Sequence, residues 1–176
     1  MIRTELDAGA DWPTGYDWEK RAADAAVAAF AVTPYGELAK TPFAVEISIK
    51  LSDDAEVQKL NAAYRGQDKP TNILSFPQVQ RDLLPALANS DDGEVLLGDM
   101  ILAQQTIVRE AAEKDTTLEA HVSHLLVHGT LHLLGYDHDT DYDAEAMEAL
   151  EVTALATLGI ANPYDKDAIA VDGRNG

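Results

Sequence analysis

All five histidines of the chain fall between residues 121 and 138. His128 and His132 are four apart in an apolar run. In a helix that spacing puts both side chains on one face, with Cβ atoms about 6 Å apart, close enough for two imidazoles to reach one ion at about 2.0 Å. Leu133, Leu134 and Gly135 follow. The glycine allows the positive φ that turns the chain, so that His138 can return to the same ion from outside the helix. Three neutral nitrogens with an open fourth position describe a catalytic zinc site better than a structural one, which a fourth protein ligand normally closes. His121 and His124 lie on the same stripe as His128. His124 is about 12 Å along the axis from His132, too far to share an ion, so a site on His124 and His128 is the alternative. The returning loop begins beside His132 and favours the later pair.

The spacing HxxxHxxGxxH matches zinc proteases of the metzincin type, but those carry a glutamate directly after the first histidine as general base. Here that residue is Gly129. Without that carboxylate, water must be deprotonated through the ion's own effect on its pKa or by another group, which argues against peptide hydrolysis by the usual route. Asp137, next to His138, is a candidate to orient an imidazole or activate water; the plainer role is to cap or solvate its turn.

The longer string HGTLHLLGYDH, His128 to His138, resembles the signature of the YbeY family of rRNA maturation factors. A second block, NAAYRGQDKPTNILSFP from Asn61 to Pro77, is similar to that family's N-x-x-[YF]-R-x-x-[DN]-x-P-T-[DN]-V-L-S-F-P segment, and Leu97-Gly98-Asp99 to its L-G-D-I strand. Asn72 stands where the family commonly has Asp; it keeps the hydrogen-bonding shape without the charge. The resemblance implies a zincin-like fold and a zinc-dependent, single-strand-specific endoribonuclease acting in small-subunit (16S) rRNA maturation and ribosome quality control. It also implies a small-subunit ribosomal protein and an Era-type GTPase as partners. Under it His128, His132 and His138 match the ligands of one Zn2+ per chain (or another divalent transition metal), and Arg65 matches the motif arginine. A guanidinium can take the charge that builds on non-bridging phosphate oxygens with two hydrogen bonds. On position alone, Arg65 is a helix C-terminal base that complements the dipole. Lys69 is a candidate phosphate contact or a solvated lysine, and Tyr136 a base-stacking ring or packing under the loop. The alternatives are a zinc peptidase-like hydrolase and a non-enzymatic assembly factor with a structural zinc.

Composition constrains these readings. The chain has 176 residues, 46% hydrophobic and 25% charged, as a single globular domain would. It has no cysteine, which excludes disulfides, thiolate-held clusters and a thiol nucleophile. The opening residues carry no apolar run and no stretch is long enough to span a bilayer, so a cytoplasmic protein with no membrane or DNA partner is expected. With 31 acids against 13 Lys and Arg the net charge is −18, which repels a polyanion on average. Lys40 to Arg81 nonetheless holds six bases and five acids, so RNA is expected to dock on this central segment.

The elements that must position the histidines follow from pattern. Strands are expected at Ile2–Leu6, at Phe43–Leu51 with its strict alternation, at Ile73–Phe76, where Phe76 reads as core beside Ser75, and at Val95–Ala103. Helices are expected at 17–32, after an Asp53 cap and ending at Arg65-Gly66, at 104–113, at 118–134 with Thr116 and Glu119 as a capping box, and at 142–158. Pro77 to Glu94 reads as a mobile surface loop. The acids Asp137, Asp139, Asp141 and Asp143 read as a solvated face and helix N-terminal charge. The order implies an α+β fold with helices packed on a small mixed sheet, one catalytic domain over 1–164 and a flexible tail over 165–176.

Overall fold

The computed structural model describes residues 1–87 and 93–164; the expected tail lies outside the described residues. Four strands, β1 (Ile2–Ala8), β2 (Ala44–Ser52), β3 (Ile73–Pro77) and β4 (Glu94–Ala103), form one mixed sheet in the order β1-β2-β4-β3. β1 runs parallel to β2 and β2 to β4, whereas β3 lies antiparallel to β4 at the edge. The helices are α1 (Trp18–Ala31), α2 (Asp54–Arg65), the single turn α3 (Leu84–Leu87), α4 (Gln104–Glu113), α5 (Leu118–Leu133) and α6 (Asp141–Thr157). Among the described residues no helix is long and apolar enough to cross a membrane.

Alternation along β2 sends Val45, Ile47, Ile49 and Leu51 into the main core, where α1, α5 and α6 pack together. Small residues on α1 (Ala22, Ala25, Ala26, Ala29) are buried and let its backbone lie close. On the opposite face α2 buries Val57 against Leu74, Ile101 and Ala103. Asp53 caps α2 by accepting from the Glu56 amide at 2.9 Å, and Gly66 at φ 68° ends it.

Two expectations differ. Thr117, not Thr116, caps α5, its Oγ1 accepting from the Ala120 amide at 3.1 Å. The Thr116 amide is used in closing α4 on the Ala111 carbonyl at 3.0 Å, with Asp115 left-handed at φ 54°, and Thr117 is the extended residue from which α5 starts. The expected surface loop after Pro77 instead carries a 3₁₀ turn at Arg81–Leu83 and then α3, because Leu84 is fully buried in the main core.

α5 is hydrophobic nearly all round, as a central helix must be. Gly129 sits where it meets the sheet. A Cβ there would come within 2.3 Å of Met100 Sδ, 2.9 Å of Ile73 Cδ1 and 3.1 Å of Ser75 Oγ. Contact this close between α5 and the β3 edge sets how far His128 stands from the residues of β3. Gly129→Ala is therefore expected to overpack this seam and destabilise the fold by about 1–3 kcal/mol, measured as a lower urea midpoint; an unchanged midpoint would mean the seam is slack.

Candidate metal centre

His128 and His132 leave the same face of α5, and the chain beyond them is turned by Gly135 at φ 95°. Two backbone bonds close the turn, from the Gly135 amide to the His132 carbonyl at 2.9 Å and from the Tyr136 amide to the Leu131 carbonyl at 3.1 Å. His138 comes back beside the helix, its ring centroid 5.1 Å from that of His132 and 5.7 Å from that of His128. One nitrogen from each ring lies within 4.8 Å of the others, an arrangement that could hold a metal ion.

Hydrogen bonds behind the rings test that fit. His132 Nδ1 lies 2.9 Å from the Tyr136 carbonyl, which can only accept, so Nδ1 carries the hydrogen and Nε2 a lone pair. His128 Nδ1 lies 2.5 Å from Glu151 Oε2, again an acceptor. The two Nε2 atoms face each other at 3.1 Å. Two lone pairs at that distance repel unless a cation lies between them, so the donor set suits a divalent ion. Burial, followed by the charges of His128 and His138, pushes the His132 pKa down to about 4, which keeps this ring neutral at neutral pH.

The triad opens onto a cleft of about 890 Å³ between α5, α4 and the 66–72 loop. Three bases line it: Arg65, Lys69 and Arg109. Arg65, the last residue of α2, donates from Nη2 to the Ser75 carbonyl at 3.1 Å and lies over Phe76 at 6.0 Å. The loop carrying Lys69 is held by buried Asn61, whose Nδ2 donates to the Lys69 carbonyl at 2.8 Å and whose carbonyl accepts from the Gln67 amide.

The remaining candidates separate. His124 does not face the triad; its Nε2 contacts Glu151 Oε1 at 2.9 Å. His121 Nε2 pairs with Glu110 at 2.9 Å, and Asn72 Nδ2 donates to the same carboxylate at 3.0 Å. An aspartate at 72 could make no such bond, so the amide fits the acid it meets. Burial opposes ionisation of Glu110, but these hydrogen bonds outweigh it and hold its pKa below the usual range. Asp137 is exposed, its Oδ1 accepting from the Asp139 amide at 3.3 Å, the plainer of its two expected roles. The Tyr136 ring lies 5.0 Å beneath the Arg81 guanidinium and also lines the cleft.

Sequence reasoning missed three residues here. Arg81, from the segment read as a loop, lays its stem on Gly135 and donates to the Gly135 carbonyl at 3.1 Å, steadying the turn that carries His138. Glu151 is wholly buried, and Tyr164 Oη donates to it. A signal for Glu151 was present: an acid on the apolar stripe of Met147, Ala154 and Leu155, since a charge in a core stripe must be paired. Burial alone would raise the Glu151 pKa, yet the hydrogen bonds from His124 and His128, the His128 charge and the Tyr164 bond hold it at about 2.

Comparison with known proteins places residues 17–159 on the family model for endoribonuclease YbeY. Three proteins named endoribonuclease YbeY are similar along nearly their whole length. One from Sphingopyxis alaskensis is 61% identical over 168 residues, 95% of this chain and 100% of that one. Another, from Rhizorhabdus wittichii, is 57% identical over 164 residues, 93% and 97% of the two chains. A third, from Zymomonas mobilis, is 44% identical over 176 residues, 100% of both. A solution structure of a Thermotoga maritima protein shares the fold, with a TM-score of 0.51 at 23% identity over 99% of this chain and 100% of that one.

Proposed function

The chain belongs to the YbeY endoribonuclease family, and on that footing we propose that it is a zinc-dependent, single-strand-specific endoribonuclease of small-subunit rRNA maturation and ribosome quality control, acting in the cytoplasm through one catalytic domain over residues 1–164. One zinc ion is held by His128, His132 and His138. The observation that carries the reading is the opening of three convergent imidazoles and Arg65 onto one cleft.

Bound there, a divalent ion supplies Lewis-acid polarisation of a phosphoryl oxygen and acidifies a water. The chain's own residues do the rest. Neutral His132 presents a lone pair without a proton having to be displaced at neutral pH, and His128 turns its Nε2 to the same point. Arg65 has five N–H groups on a planar fork; with one fixed on the Ser75 carbonyl, the guanidinium is oriented before substrate arrives and stabilises charge growing on the non-bridging oxygens. Lys69 and Arg109 supply cations for neighbouring phosphates. The peptidase alternative is disfavoured because its general base would stand at 129, where even a methyl group collides with the sheet.

At a net charge of −18, three cleft bases cannot capture free RNA at physiological salt. Delivery by a ribosomal protein or an Era-type GTPase, as the family likeness implies, supplies the missing affinity. With Arg65, Lys69 and Arg109 as the phosphate contacts, log affinity for an unstructured oligoribonucleotide is expected to fall with log salt at a slope of about −2, and free RNA to be cleaved poorly beside ribosomal particles. Tight unassisted binding at physiological salt would contradict this. Arg65→Ala is expected to lower kcat/KM by about 10²- to 10³-fold with zinc content unchanged. Full function in a zinc-loaded Arg65→Ala protein would support an assembly factor with a structural ion.

A further inference from the structure

The mechanism above uses the faces of His128 and His132 that look into the cleft. Behind His128 lies a buried network that it leaves unused. Glu151 of α6 is 0% exposed, and both its oxygens are occupied. Oε2 lies 2.5 Å from His128 Nδ1. Oε1 is shared by His124 Nε2 at 2.9 Å and by the Tyr164 hydroxyl, which donates to it. Tyr164 follows α6 on the segment that returns over α5, and its ring meets that of His124 edge-on at 5.4 Å.

Counting donors assigns the hydrogens that face Glu151. An ionised carboxylate only accepts, so all three neighbours must donate to it: Tyr164 through O–H, His124 through Nε2–H and His128 through Nδ1–H. The choice agrees with a separate observation, that His124 Nδ1 is buried with no partner. With the hydrogen on Nε2, what is stranded there is a lone pair, not a donor. We propose that Glu151, clamped by His124 and Tyr164, is the positioning residue of the metal centre: it locks His128 as the Nδ1–H tautomer and aims the bare Nε2 at the ion.

The clamp does two things. It fixes the carboxylate plane, since neither oxygen can rotate without losing a donor in a site closed to water. It also places a negative charge behind the ring, which raises the basicity of the nitrogen turned to the ion. His132 has a backbone carbonyl behind it, so the direct hydrogen bond to a carboxylate, among the described residues, belongs to His128. Loss of such a partner typically weakens metal binding by about 10- to 100-fold.

The proposal rests on the reading of the triad as an ion site, and its test keeps the two apart. Long-range 1H–15N correlation spectra of metal-free, full-length protein at pH 8 report which ring nitrogen of each histidine carries hydrogen. The expected result is Nδ1–H for His128 and Nε2–H for His124, whatever the protein binds; Nε2–H at His128 would overturn the clamp. Zinc titration of circular-dichroism-verified folded variants forms the second arm. Glu151→Gln keeps an acceptor but loses the charge and should weaken zinc about 10-fold. Tyr164→Phe, the mildest change, should shift affinity in the same direction by less. Unaltered zinc affinity and unaltered tautomers in both variants would overturn the role. Should wild-type protein show the expected tautomers but bind no zinc, the ion reading falls and the tautomer lock stands.

Discussion

Two imidazole nitrogens face each other at 3.1 Å, the far nitrogen of each ring held by an acceptor, in a contact that a shared cation relieves. Much of this molecule can be understood as the apparatus that maintains it. α5 must be apolar enough to be buried on nearly every side, so that its histidines cannot swing away. Gly135 must be left-handed so that the Tyr136 carbonyl turns back onto His132. α6 must bring a carboxylate into the core at Glu151, where only three donors make its charge tolerable.

The sheet serves the same end from the other side. Gly129 lets the β3 edge come close to α5, and the strand then offers its Ser75 carbonyl to Arg65 across the cleft. Arg65 therefore stands on the triad's cleft through a contact with the packed strand. Two buried or half-buried carboxylates beside the site, Glu151 and Glu110, are each occupied by hydrogen-bond donors, whereas Asp137 and Asp139 line the cleft exposed. The chain as a whole remains strongly negative, at −18.

Much of the architecture was legible because it depends on local rules. The alternation from Val45 to Leu51 marks β2, the Asp53 cap and Gly66 bound α2, and the spacing of His128, His132 and Gly135 brings three rings together around one turn. What escaped depends on partners distant in sequence. Thr116 and Thr117 are equally good caps on paper, and only the closing bond of α4 decides between them. Arg81 looks like a surface base until Leu84 is seen to be buried, which pins its segment beside the metal turn. Asn72 reads as a departure until Glu110 supplies the carboxylate that its amide satisfies. Glu151 shows in sequence only as an acid on an apolar stripe; which groups neutralise it is a matter of tertiary contact.

The central claim is that His128, His132 and His138 share one cation. Anomalous diffraction at the zinc absorption edge from zinc-loaded crystals tests it most directly. The account requires a single strong peak within about 2.0–2.1 Å of one nitrogen from each ring. A zinc peak elsewhere, or one bound by the helical pair with His138 turned out to solvent, would contradict it.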